Sequence, residues 1–131
     1  MMTSSNEFGT SIEAMVRALT FISETSNLDT VPTVRKGNDE MHAIGLGAMG
    51  LHSFLAQNQI HYDSKEAVEF TSVYFMLLNY YTLVASNKLA VEKGSSFKNF
   101  EKSAYADGSY FDKYLTHDYF AAVSPKVQEL F

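Results

Sequence analysis

The chain has 131 residues, 46% of them hydrophobic and 19% charged, with a formal net charge of -5 and no cysteine. That length suits one domain, which as a free body buries roughly two-thirds of its unfolded surface. The absence of cysteine excludes disulfides, thiolate metal sites and thiol redox chemistry within this chain, and no basic patch supports nucleic-acid binding. No apolar run approaches 18 residues, and the start (MMTSSNE) lacks the basic and apolar regions of a signal peptide, so a cytoplasmic location is expected.

The first predicted helix covers residues 10–26. Thr10 and Glu13 have capping-box spacing, and Ile12, Met15, Val16, Leu19 and Ile22 share one face. Residues 29–38 read as an irregular link, because Pro32 biases Val31 toward extended geometry and Gly37-Asn38 favours a turn. A second helix is expected over 41–58, capped by Asn38 or Asp39, with Met41, Ile44, Ala48, Leu51 and Leu55 on its apolar face. Ala43, Gly47, Gly50 and Phe54 form a second, narrow line, expected to accept another element at close range. Three glycines inside a helix cost roughly 3 kcal/mol against alanine, so close packing would have to offset that.

Gly45-Leu46-Gly47-Ala48-Met49-Gly50 also reads as the G-x-G-x-x-G of a dinucleotide-binding turn. That turn follows a buried strand and opens a helix. The preceding KGNDEMH (residues 36–42) has no strand pattern, so the helical reading fits better, and a dinucleotide-binding enzyme using Gly45, Gly47 and Gly50 stands as the lesser alternative.

The third and longest helix is expected over 63–93, with Asp63 as cap and Glu66 at the third position. Phe70, Val73, Tyr74, Leu77, Tyr81, Val84 and Val91 lie along one broad face. Met76, Leu78, Tyr80, Leu83 and Leu89 widen it, so this helix needs neighbours on several sides. Lys88 and Lys93 sit near its negative end, and Gly94 suits its C-terminal cap. Residues 107–115 are expected to hold a turn and a short helix. A last helical segment starts at Ser124 and Pro125. Its apolar ending at Phe131 is expected of a segment of a larger protein. No strand is predicted, and the fold class is mainly α.

Candidate chemistry is sparse. His42, His52, His61 and His117 include no i,i+4 pair, and His42 and His52 would stand about 15 Å apart along one helix by its rise. Glu66 and Glu69 share a helix face, but Glu66 is assigned to the cap. The serines lack a nucleophile-elbow context. Tyr80 and Tyr81 are adjacent and are expected to pack in the core. Lys88 with Asn87 would meet a phosphate only at the wrong pole of the helix dipole. No catalytic, cofactor-binding or metal-ligating residue is assigned.

Longer strings say more. Residues 17–23 (RALTFIS), 31–34 (VPTV) and 43–52 (AIGLGAMGLH) resemble the large (alpha) subunit of ribonucleotide reductase. So do residues 70–75 (FTSVYF), 85–90 (ASNKLA), 100–108 (FEKSAYADG) and 110–114 (YFDKY), in order, from about Asn6 to Phe131. The resemblance is greatest to the aerobic class Ib form. It implies that residues 1–131 are an internal piece of the C-terminal half, a multi-helix part of a ten-stranded α/β barrel without an independent catalytic domain. It implies that the complete enzyme reduces ribonucleoside diphosphates to deoxyribonucleoside diphosphates by a thiyl radical. A small partner subunit would supply a dimetal-tyrosyl radical, and the remaining large-subunit segments would be further partners. The family's thiol roles have no counterpart here, so the chain alone is expected to be an inactive scaffold. A helical protein-interaction module is the other alternative.

Overall fold

The structure, a computed structural model, describes residues 5–115, 118–121 and 123–131. Among these residues six α-helices follow in order: α1 (Ser5–Thr25), α2 (Pro32–Met41), α3 (Leu51–Gln57), α4 (Lys65–Lys93), α5 (Asp112–Leu115) and α6 (Pro125–Gln128). Two 3-10 turns, Phe100–Lys102 and Ser109–Phe111, lie between α4 and α5. Among the described residues there is no strand, as the apolar periodicities predict.

The helix α1 begins a turn earlier than the Thr10 cap implies, so the predicted capping box is not the start. Phe8 explains the extension. It stands one turn before Ile12 on the same face and meets the rings of Tyr74 and Tyr81 edge-on, both at 5.8 Å. Ile12 and Val16 are buried, whereas Met15 and Ile22 are exposed.

The predicted link over 29–38 is instead mostly helix α2. Val31 stays out of the helical region (φ -132°, ψ 74°), as the residue before a proline tends to, but Pro32 then occupies the first helical turn. Its fixed φ is already helical, and the N–H it lacks would have had no partner there. No residue of α2 is buried. Side chains tether it instead. Ser23 Oγ donates to Asn38 Oδ1, and Asn38 Nδ2 donates to the Ser23 carbonyl at 3.0 Å. The Lys98 N–H donates to the Glu40 carbonyl at 2.8 Å.

The helix predicted over 41–58 is broken. His42 closes α2 in a left-handed conformation, residues 43–49 are neither helical nor turned, and α3 starts only at Leu51. Gly50 is the reason for the late start. It holds φ +81°, a region that costs an L-residue roughly 1–2 kcal/mol, so no helix propagates through it. The narrow packing face expected at Gly47 and Gly50 is also absent: a β-carbon at Gly45, Gly47 or Gly50 would meet nothing within 4 Å. The close approach occurs at Gly9, where an added β-carbon would stand 2.7 Å from the Tyr81 ring.

The 29 residues of α4 are the spine, about 43 Å long by helical rise. Its cap is Ser64 rather than Asp63: Ser64 Oγ accepts the Ala67 N–H at 3.2 Å, which puts Glu66 at the second position. Gly94 ends it in the left-handed conformation. Two core clusters sit along it. Near its start, Ala67, Phe70 and Val73 pack with Leu55, Ile60, Val123 and the fully buried Val127. Phe54 and Phe131 stack on Phe70 at 4.8 and 5.2 Å. Further along, Leu78 and Ala85 close over Ile12 and Val16 of α1. Each fully buried Val, Leu or Phe contributes roughly 1.5–3 kcal/mol relative to exposure. Val91, expected on the inner face, is 74% exposed.

The chain leaves a large surface open. Its accessible area is 9137 Å². A compact monomer of 14.7 kDa exposes about 6,900 Å² by the usual mass scaling.

Candidate functional site

The glycine run is the first candidate. Gly50 does open a helix, but α3 has only seven residues, and no strand precedes the run among the described residues. A dinucleotide turn draws its geometry from a buried strand leading into a helix that faces the pyrophosphate. That framework is not assembled around Gly45, Gly47 and Gly50.

The histidines are dispersed. His42 caps α2, His52 packs against the Tyr62 ring at 5.6 Å, and His61 is exposed in the turn before α4. The predicted same-helix placement of His42 and His52 is therefore corrected by the break at residues 43–49. His117 lies outside the described residues. Among the described residues no three His, Asp or Glu side chains gather as metal ligands.

The polar crevice between the end of α1 and α2 has a volume of about 270 Å³. Ser23, Glu24, Asp29, Arg35, Asn38 and Asp39 line it. Arg35 pairs with Asp29 and reaches Asp39 at 3.6 Å, Glu24 pairs with Lys93 outside the crevice, and Ser23 and Asn38 bond each other. Each charged side chain of the lining thus already has an ionic partner.

Three polar constellations do structural work that the sequence reading missed. Glu13 and Arg17 of α1 meet Lys88 and Glu92 of α4. Arg17 reaches Glu13 at 2.9 Å and Glu92 at 2.6 Å, and Lys88 reaches Glu13 at 2.6 Å. The Lys88 and Arg17 hydrogen bonds hold the Glu13 carboxyl below its ordinary range, and Arg17 does the same for Glu92. The signal was present as two i,i+4 pairs, Glu13/Arg17 and Lys88/Glu92. Glu13 had been assigned to a cap instead.

Second, Glu69 accepts the Ser124 N–H at 2.9 Å and pairs with Lys65 at 3.2 Å, which ties the start of α6 to α4. The Ser124 N–H, ahead of Lys65, keeps the Glu69 carboxyl low. Third, Asn79 Nδ2 donates to the hydroxyls of Tyr110 (3.1 Å) and Tyr114, inside a shelf of rings that includes Tyr105. Tyr80 and Tyr81 contact edge-on at 5.2 Å; Tyr81 lies over Gly9 while Tyr80 is exposed.

These arrangements fasten helices together. None gathers an acid, a base and a nucleophile over a cleft. Comparison with known proteins supplies the context. The pattern of the family described as "Ribonucleotide reductase, barrel domain" matches residues 1–129. The chain belongs to that family. It is 50% identical over 132 residues to the ribonucleoside-diphosphate reductase subunit alpha of Mycoplasma genitalium, covering 99% of this chain and 18% of the relative. It is 48% identical to the subunit of that name from Mycoplasma pneumoniae, again over 99% of this chain and 18% of the relative. The Bacillus subtilis (strain 168) subunit alpha is 45% identical over 92% of this chain and 17% of the relative. The chain thus spans less than a fifth of these curated relatives and corresponds to a segment of the large subunit. A helical segment fits that placement.

Proposed function

We propose that the chain is a scaffold segment of the class Ib ribonucleoside-diphosphate reductase alpha subunit. Residues 1–131 form part of the barrel domain and hold no catalytic, cofactor-binding or metal-ligating residue of their own. The complete subunit converts ribonucleoside diphosphates to deoxyribonucleoside diphosphates by thiyl-radical chemistry, in the cytoplasm. Its partners are the remaining large-subunit segments and a small subunit, whose dimetal-tyrosyl centre supplies the radical.

The observation that carries this reading is 50% identity over 99% of the chain to a protein named as the alpha subunit. The sequence supports the scaffold role: with no cysteine, these residues cannot form a thiyl radical or deliver two electrons from a thiol pair. The open surface supports it too, since neighbours would cover the area that a free monomer of this mass does not expose. The experiment is to sequence the coding region on either side. Reading frames or in-frame sequence encoding the rest of a large subunit, cysteines included, are expected. Flanks encoding unrelated proteins, with no other large-subunit sequence in the same genome, would overturn the assignment.

A further inference from the structure

Helix α2 lacks most of what keeps a short helix folded. It has ten residues, and isolated helices shorter than about 12–15 residues are marginal in water. Val31 contributes no side-chain cap, the first turn holds no acidic residue and the last turn no basic one. Gly37, a weak helix former, stands in its middle. No residue of α2 is buried, and Val34 and Met41 keep about half of their surface in solvent. Helix α4, by contrast, buries Ala67, Phe70, Val73, Leu78 and Ala85.

Two fastenings offset this. On one side, Asn38 exchanges two hydrogen bonds with Ser23, near the end of α1. On the other, the Lys98 N–H donates to the Glu40 carbonyl at 2.8 Å, and Lys98 Nζ pairs with the Glu40 carboxylate at 2.7 Å. Asn38 and Glu40 stand about 200° apart around the helix axis, so α2 bridges α1 and the segment after α4. The Arg35 ion pairs with Asp29 and Asp39 add no tie to the rest of the chain, because both partners belong to the same stretch. The bridge has a bend at each end. Residues 29–30 form a turn before Pro32, and His42 is left-handed at φ 48°. Beyond His42 the chain is anchored again, by Ile44 and Leu46 on the cluster between α1 and α4.

We infer that residues 29–42 are a strap that opens and closes as one unit across the α1–α4 pair while that pair stays packed. Opening breaks the two fastenings and one short helix and uncovers no buried residue of α2. The pair itself is held by Ile12, Val16, Leu78 and Ala85 and by the network of Glu13, Arg17, Lys88 and Glu92, neither of which includes a residue of α2. Opening also dismantles the polar crevice, part of whose lining the strap supplies.

The test is residue-resolved amide hydrogen exchange, read by nuclear magnetic resonance on the 131-residue chain. The Lys98 N–H is the decisive reporter, since it lies outside the strap and its acceptor, the Glu40 carbonyl, lies inside. The Arg35 and His42 N–H groups, bonded to the Val31 and Asn38 carbonyls, report on the strap itself. All three amides should share one protection, measurable but at least about 100-fold below that of the Leu77 amide in the middle of α4. Asn38→Ala removes the fastening to α1 and should speed all three by a common factor of about five or more. Gly37→Ala favours the helix and should slow all three together. Val73→Ala weakens the core and should speed the Leu77 amide while leaving the three unchanged. Lys98 exchange that ignores Asn38→Ala would mean that the two fastenings open separately, which overturns the inference. Protection of the three equal to that of Leu77 would mean that α2 opens only with the whole molecule, and unprotected exchange at all three would mean that no closed strap forms; either result also overturns it.

Discussion

Gly9 and Gly37 both lie inside helices, and they should respond oppositely to alanine. At Gly37 nothing stands within 4 Å of the new carbon, so Gly37→Ala should stabilise α2 by about 0.5–1 kcal/mol through backbone entropy alone. At Gly9 the carbon would meet Tyr81 Cε1 at 2.7 Å, and the ring is itself held edge-on by Phe8. Gly9→Ala should therefore lose the propensity gain and destabilise by about 1–3 kcal/mol of overpacking. Urea denaturation of both variants checks this; stabilisation by both would show that the Tyr81 ring gives way freely. The sequence foretold close packing at a glycine but placed it at residues 43–54. The error has a physical cause. The G-x-x-G spacing looks like a narrow helix face only if the segment is helical, and Gly50 at φ +81° prevents that. Gly9 carried no such pattern, because its contact partner is 72 residues away in sequence.

The elements with strong apolar periodicity were legible, and those fixed by single polar contacts were not. Helix α4 was readable because Phe70, Val73 and Leu77 recur at helical spacing, and the closing Gly94 was readable because a left-handed cap favours glycine. Helix α2 was not readable: it buries nothing, and Pro32 was weighed as a breaker although it initiates the helix. Phe70 should be the most sensitive core position, since Phe54, Tyr74 and Phe131 all stack on it. Phe70→Ala should cost about 3–5 kcal/mol in a denaturation experiment, with the loss of the α6 contacts visible in near-ultraviolet dichroism.

The pairing of α1 with α4 should also depend on pH. Glu13 and Glu92 have folded-state values below the ordinary 4.5. Their contribution is therefore complete above that ordinary value and is lost as the pH falls through the lowered one. Melting temperature should be flat from pH 7 to 5 and fall below about 4.5. Glu13→Gln should lower the melting temperature at pH 7 and make the acid decline shallower. An unchanged acid slope would place the titrating groups elsewhere. These pairs are partly exposed, so added salt should shrink the difference.

At the scale of the whole molecule, the fold is two small cores strung along one helix rather than one enclosed core. The excess accessible surface follows from that arrangement. The assignment to the large subunit was legible in the sequence, because strings such as AIGLGAMGLH and FEKSAYADG keep their order across the chain. The broad apolar surface of α4 was legible as well, and Val68, Phe75, Tyr80 and Val91 of that helix are exposed. What the sequence did not disclose is the extended run 43–49: with Ile44 and Ala48 at helical spacing it reads as a glycine-bearing helix until its alternating exposure is known.

The most direct measurement is ribonucleoside-diphosphate reduction, assayed with the small subunit and a dithiol reductant present. The purified chain by itself should give no deoxyribonucleotide, since methionine is its sole sulfur. An alpha subunit lacking the matching segment should also be inactive, and adding the chain should restore turnover. Turnover by the chain alone, or a stable assembled subunit that stays inactive with the chain in place, would contradict its role as an inert but required scaffold.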